Sequence, residues 1–426
     1  MHKAVISAAV IASISLLWGG GTEGIAQEAD PAEIKIGVLT SDPVGADAGL
    51  LAAIEIAKND LNREYAPIHT VTLRVIDVSD HADRASLEQK IGAALRGGFT
   101  HFVGPNGDVA LMAVKYVLDE ISPDSIIVSP GSRLTGNSNL DLDDNLFRLS
   151  PNSDTMSQNI VAVFDKYDAA HLLVVVNSRV APFLTMVPDD LHGHYVQPLQ
   201  PIGVYDGGSP SSYARNVQSA MELHSRLAPL IAAYGEERAG VYAIGARDYA
   251  NMANVLGSNP LIDNPGKVRW YGSQSFVEES AITSNPTVAE FSAKAMLTAV
   301  VYDVGPNDVN AALDHLPSLK GLQGKTNNYA AYDSLRLLAD SIAVGGADHP
   351  NLKQVVFDVA DGKHALPHTD RLLGRGALGD YKLDPMTGDL LEGGTFAEHR
   401  LIKTDGGYDW RELAILDNAA ALRMCR

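Results

Sequence analysis

The stretch His101–Ala110, HFVGPNGDVA, sets two glycines, an asparagine and an aspartate between an apolar run and a helical pattern, VALMAVKYVLDE. A strand, a glycine-rich corner and a helix N-terminus are the parts of an anion-binding site. The nucleotide versions of that site are not met at this corner. No Lys-Ser/Thr pair follows Gly107, and the glycines are not spaced as G-x-G-x-x-G. Asp108 would repel a phosphate, whereas its charge suits the positive end of a helix, so it reads as a capping residue rather than a catalytic acid. Other side chains invite comparable questions. Arg179 and Arg247 could each grip a carboxylate with a two-pronged guanidinium, or be solvated arginines paired with Asp206 or Asp248. Tyr302 could wall a cleft or fill a core. His192 and His194 lack a third ligand in register and read as a surface loop rather than a metal site. DPMTGD has calcium-like oxygens without the twelve-residue loop or its closing Glu. There is no G-x-S-x-G, no H-E-x-x-H and no cysteine nucleophile, so nothing favours an enzyme.

The elements that must position these residues follow from periodicity. From Ile34, β-branched strand-like runs alternate with helical patterns: IKIGVLT, AGLLAAIEIAKNDLNREY, HTVTLRVIDVS, RASLEQKIGAALRGG, THFVGPN, ALMAVKYVLDEI and DSIIVSPGS. LFRLSPNSD interrupts the rhythm at 146–154, after which it restarts through MSQNIVAVFDKY, AHLLVVVNS, a helix around 212–233, AGVYAIG, DYANMANVLGS and GKVRWYGSQSF. KAMLTAVVYDVGPN reads as a strand and NNYAAYDSLRLLADSIAVGG as a long helix with Tyr329, Tyr332, Leu335 and Leu338 on one face. The tail alternates turn signals with short strands, a terminal antiparallel meander. The fold class expected is α/β, two doubly wound parallel-sheet lobes.

The chain has 426 residues, 46% of them apolar, with 33 Lys plus Arg against 52 Asp plus Glu and a formal net charge of −19. That charge argues against a nucleic-acid partner. MHK, an apolar AVISAAVIASISLLWG and small residues Gly24 and Ala26 form a secretory signal-peptide pattern, residues 1–26, with cleavage expected after Ala26. The apolar run is shorter than the roughly 20 residues that span a bilayer. No cysteine stands near the cut, which argues against a lipoprotein anchor. Cys425 is the only cysteine, so an oxidising compartment must be tolerated without an intrachain disulfide.

Taken in order over about residues 34–416, nine stretches resemble the type I periplasmic solute-binding proteins of ABC importers, in the branched-chain and hydrophobic amino-acid and amide group. They are IKIGVLT, AAIEIAKNDLN, FVGPNGDVA, IIVSPGS, LFRLSPNSD, LLVVVNS, VRWYGSQSF, YAAYDSLRLL and GRGALGDYKLDPMTGD with DWRELAIL. The resemblance implies two lobes joined by a three-segment hinge, with a ligand trapped between them on closure. Lobe 1 would be 34–149 plus 279–345 and lobe 2 would be 153–275 plus 357–416. The hinges would fall at RLSPN, at GSQSF and near 346–356.

What this implies for the site is a cleft lined by strand-to-helix corners. Asn106 and Gly107 would contact the ligand. In the loop Ser129-Pro130-Gly131-Ser132, Gly131 and Ser132 would hold a ligand carboxylate through backbone and hydroxyl. Arg133 and Leu134 depart from the small residues of amino-acid binders. Arg179 and Arg247 stand where those binders have aromatic residues, and Gln274 with Ser275 where they place an acid for the ligand ammonium. A small carboxylate or amide with an apolar part is thus expected, with Tyr302 as an aromatic wall. The resemblance implies a monomer in the periplasm, a small-molecule ligand, ABC permease subunits as partners, no nucleic acid, no metal and no cofactor. Periplasmic sensing through a membrane receptor, or an exported enzyme using the cleft, are the alternatives.

Overall fold

The computed structural model describes residues 31–43, 47–132, 145–151, 153–177, 202–205, 209–304, 307–316, 319, 325–363, 375–380, 382–384, 388–392 and 394–416. Its first part alternates β1 (Ala32–Thr40), α1 (Ala48–Tyr65), β2 (His69–Asp77), α2 (Arg84–Arg96), β3 (His101–Val103), α3 (Asp108–Ile121), β4 (Ile127–Ser129) and β5 (Leu146–Arg148). The five strands make one parallel sheet in the order β2-β1-β3-β4-β5. Successive side chains point to opposite faces of a strand, and the sheet is apolar on both. Ile36, Val38, Val103, Val128 and Phe147 face one cluster, which includes Leu50, Ile54 and Leu61 of α1. Leu39, Ile76, Phe102, Ile127 and Leu146 face the other, with Leu87 and Ile91 of α2 and Leu111 and Val114 of α3. A sheet clad by helices on both faces is the parallel solution.

The next elements are α4 (Ser153–Lys166), β6 (His171–Asn177), β7 (Ile202–Val204), α5 (Pro210–Tyr234), β8 (Ala239–Ile244), α6 (Ala246–Ser258), β9 (Arg269–Ser273), α7 (Ser275–Glu278), α8 (Ser280–Ser284), α9 (Pro286–Lys294) and β10 (Thr298–Asp303). Helices α10 (Asp308–Asp314), α11 (Lys325–Gly345) and α12 (Leu352–Ala360) follow. The short strands β11 (Arg375–Gly376), β12 (Gly379–Asp380), β13 (Lys382–Leu383) and β14 (Leu390–Glu392) precede β15 (Thr395–Thr404) and β16 (Gly407–Leu416). The second sheet has seven strands in the order β16-β15-β10-β9-β8-β6-β7, with β15 and β16 antiparallel and the other five parallel. The molecule is α/β with two mainly parallel sheets, and its tail forms the antiparallel hairpins that the turn signals imply.

Three features differ from the sequence reading. LFR is a strand, β5, that completes the first sheet before the chain leaves it. Strand β10, grouped by sequence with the first lobe, pairs with β9 and β15 in the second sheet. GSQSF is therefore not a passage between sheets, because α7, α8, α9 and β10 all follow it within the second. Residues 346–351 join α11 to α12, which pack on each other, so no passage lies there either. The chain crosses after Arg148, at the RLSPN segment expected as the first hinge, and otherwise after Asp303 and before Thr395. An apolar strand of six residues specifies burial on two faces but not which sheet receives it.

Helix α11 lies against β1, β3, β4, α1 and α12 and is buried on almost every side. Its polar residues are paired: Asp340 with the Tyr65 hydroxyl, and Arg336 Nη2 with Glu64 Oε2 at 2.6 Å. An all-round buried helix tolerates polar side chains only with partners of this kind.

Candidate functional site

In open α/β sheets, ligands sit beyond the carboxyl ends of the strands, where helix N-termini converge. At β1 that edge is built on Asp47, 2% exposed. Its Oδ2 accepts from Thr40 Oγ1 at 3.0 Å, Ser41 N at 2.9 Å, Ser41 Oγ at 3.3 Å and Asp42 N at 3.1 Å. A buried carboxylate is tolerable when donors converge on it, and here they fix the β1–α1 corner. Sequence reasoning named this corner but not Asp47. The only signal was an acid just before a helix.

The β3 corner is closed by sterics. Gly104 has φ +87°, and an added Cβ would stand 2.3 Å from the Leu39 carbonyl oxygen. Gly131, across the corner, has no room for a side chain either: an added Cβ would lie 1.5 Å from Asn106 Oδ1. Asn106 Oδ1 is itself buried and, among the described residues, without a hydrogen-bond partner. Asn106 and Gly131 are thus in contact, and Gly107 is the N-cap of α3. The first N–H groups of a helix have no partner within it, so this corner presents donors to whatever occupies the edge.

Ser132 is fully buried. Its hydroxyl donates to Asp108 Oδ1 at 2.8 Å, its N–H reaches Ser129 Oγ at 3.3 Å, and its carbonyl accepts from Ser150 Oγ at 2.7 Å. Ser129 Oγ donates in turn to the Pro105 carbonyl at 2.8 Å. The two loops are latched side by side, and Asp108 accepts the hydrogen bond of the Ser132 hydroxyl besides standing in the first turn of α3.

On the second sheet, Arg247 is exposed in the first turn of α6. Gln274 is 3% exposed and opens α7. Ser275 is half-buried, its hydroxyl 3.2 Å from that of Ser273. Tyr302, next to last in β10, is 3% exposed, and its ring lies 5.4 Å from that of Phe396. Its hydroxyl is buried without a partner among the described residues. Burial, helped by Asp333 and Asp303, raises its pKa above the ordinary tyrosine value. Arg179, Arg133, Leu134, His192 and His194 lie outside the described residues. The structure therefore brings Asn106, Gly107, Gly131 and Ser132 together at one sheet edge. Gln274 and Ser275, just past β9, and Tyr302, near the end of β10, lie at the carboxyl ends of neighbouring strands of the other.

Two features away from these edges belong to the framework. A groove of about 570 Å³, lined by Thr100, His101, Asn145, His349 and Lys353 among others, lies at the amino ends of β3 to β5. Its buried His101 is used on both nitrogens, with Nδ1 accepting from Ile126 N at 3.1 Å and Nε2 facing the Ala347 carbonyl at 2.9 Å. Burial lowers its pKa, so it serves as a neutral strut. The run Gly374-Arg375-Gly376-Ala377-Leu378-Gly379 spells G-x-G-x-x-G, yet residues 375–380 form two-residue strands rather than a strand leading into a helix, so they lack the context of a dinucleotide site.

No family model matches the chain, and no curated protein matches it. Solved structures do. The chain is similar to a leucine-binding protein, LivK, of Thermotoga maritima, with 14% identity, 91% of this chain and 99% of that one covered, and a TM-score of 0.61. A solute-binding protein of an ABC transporter from R. palustris, in complex with 4-hydroxybenzoate, gives 14% identity, coverage of 90% and 97%, and a TM-score of 0.58. The branched-chain amino-acid binding protein LivJ of Streptococcus pneumoniae, in complex with isoleucine, gives 14%, 89% and 100%, and 0.55. At such identities the likeness is one of fold: the chain has the fold of the periplasmic solute-binding proteins. Among the described residues, no helix is long and apolar enough to cross a membrane.

Proposed function

We propose that this protein is a solute-binding protein of an ABC importer. It would capture a small carboxylate or amide with an apolar part between the two sheets and deliver it to membrane permease subunits. The observation that carries this reading is the β3–β4 edge. There Asn106, Gly107 and Gly131 form a tightly packed corner at a helix N-terminus, on a fold whose relatives are described with leucine, isoleucine or hydroxybenzoate. Ser132, Arg179, Arg247, Gln274, Ser275 and Tyr302 complete the proposed contacts. Residues 1–26 would direct export to the periplasm. Contacts made to both lobes at once would favour the closed state, a shift of population rather than chemistry.

A thermal-shift screen of amino acids, aromatic and aliphatic acids, and amides tests the reading. A stabilising carboxylate or amide is expected, and for that hit Ser132→Ala with Arg247→Ala should weaken affinity about tenfold or more, a loss of roughly 1.4 kcal/mol. No stabilising compound in these classes, or turnover of the bound one, would overturn it.

Tyr302→Phe makes a sharper probe. Removing a buried hydroxyl without a partner is expected to leave stability unchanged or raise it by up to about 1 kcal/mol. If the hydroxyl serves the ligand, affinity falls while stability does not. Equal affinity in the two proteins would remove Tyr302 from the site.

A further inference from the structure

We propose that the second lobe carries a site for a small tetrahedral oxyanion, such as phosphate, at the amino ends of β9 and β10, built from Arg269, Arg400, Tyr167 and Tyr271. The sheet register lays one row of side chains across it. Tyr271 pairs with Thr298, Thr298 with Arg400, and Arg400 with Arg411. Arg269 stands two residues before Tyr271 and so shares its face. The end of α4 covers this row. The Arg269 guanidinium carbon is 3.8 Å from the centre of the Tyr167 ring, that of Arg400 is 5.3 Å away, and Lys166 Nζ is 5.5 Å away.

Three cations thus surround one ring, in a chain of net charge −19. The carboxylate among them is Glu398, fully buried, which accepts from Lys166 and from the Tyr167 hydroxyl and stands 3.6 Å from Arg400 Nη2. Asp168, just beyond α4, pairs with Arg238 at 3.1 Å. Lys166 also answers the carbonyl end of α4, and of the two arginines Arg400 stands within ion-pair distance of Glu398.

Their donors are poorly satisfied. Among the described residues the Arg269 terminal nitrogens reach only Thr298 Oγ1 at 3.3 Å and Met296 Sδ at 3.6 Å, and thioether sulfur is a weak acceptor. Among the described residues no carboxylate pairs with Arg269. Arg400 Nη2 donates to the Tyr167 oxygen at 2.6 Å, but its Nε is buried and, among the described residues, without a partner. The Tyr271 hydroxyl, on a residue 2% exposed, likewise has none among the described residues. Burial and the neighbouring Arg400 lower the pKa of Arg269, so the guanidiniums repel one another. A tetrahedral oxyanion would accept from both forks at once and remove that repulsion. Access is from the side of Met296, which is 38% exposed.

The test is thermal unfolding of the whole chain at constant ionic strength, with inorganic phosphate replacing chloride. About 20 mM phosphate is expected to raise the midpoint by roughly 1–3 °C, and Arg269→Met is expected to abolish the rise. Met296→Glu supplies a carboxylate to Arg269 from within; it should raise the midpoint without phosphate and cancel the response, and it carries the test if Arg269→Met does not fold. Flotation with phosphatidylglycerol against phosphatidylcholine vesicles separates the two sources of the anion. Binding to the former that Met296→Glu eliminates, with free phosphate inert, assigns the site to a lipid headgroup. If phosphate acts no more than chloride and neither vesicle binds, or if Arg269→Met responds as wild type does, the proposal falls.

Discussion

Asp333→Asn is expected to lower the unfolding free energy by about 2 kcal/mol at pH 5.5, measured by urea denaturation. Asp333 is 1% exposed on α11 and accepts the N–H groups of Ala377 and Leu378, each at 2.8 Å. The Ala377 carbonyl accepts from Asn307 Nδ2 at 3.1 Å and from Asn310 Nδ2 at 3.3 Å. An added Cβ at Gly376 would lie 2.0 Å from Asp333 Oδ1, so the segment is held with no slack. An amide offers one acceptor where the carboxyl offers two, and turns its NH₂ against a backbone donor.

The same residue gives stability a pH dependence of definite sign. Burial raises the Asp333 carboxyl from 3.8 to about 7, against the pull of the two backbone N–H groups and Arg336. A raised pKa means that the folded state holds the proton more tightly than the unfolded one. The stabilisation is therefore complete below pH 3.8 and is lost as pH rises through 7. Wild type should lose up to about 1.4 kcal/mol per pH unit between pH 5 and 7 from this group. Asp333→Asn lacks that slope, so the gap between the two proteins narrows towards pH 8. Parallel profiles would count against the assignment.

The second large effect is expected at Gly131. Alanine there would place its methyl 1.5 Å from Asn106 Oδ1 and 2.6 Å from Asn106 Cγ, so the Asn106 side chain must leave its seat. Overpacking of this kind costs about 1–3 kcal/mol. If Asn106 holds the ligand, affinity should fall at least about tenfold as well. Asn106→Ala in the same chain removes the clash, and the double variant should recover much of the stability but not the affinity, a coupling that a double-mutant cycle reads directly. Full affinity in Gly131→Ala would remove this corner from the proposed cleft.

Much of the architecture was legible in the sequence, because each element carries its own period. AGLLAAIEIAKNDLNREY spans the 18 residues of α1, and the runs around His69, Ala239 and Arg269 became β2, β8 and β9. The corner residues were legible by type, since glycine, asparagine and serine after an apolar run mark a strand end. Their engagement was not. Ser132 reads as an open hydroxyl in the string PGS, yet Asp108, 24 positions earlier, already accepts its hydrogen bond. Asp47 and Asp333 read as ordinary acids and prove to be buried anchors, because the donors that make burial tolerable come from other parts of the chain.

The amino-acid sequence by itself determined where strands and helices form, their alternation and hence the α/β class, since those depend on neighbours within a few residues. Tertiary structure alone decided that β10 belongs to the second sheet and where the chain passes between sheets. It alone decided that Asn106 occupies the space Gly131 leaves, and that Arg269 meets Arg400. Those outcomes rest on pairings between residues 25 to 131 positions apart, and no local period carries a record of them.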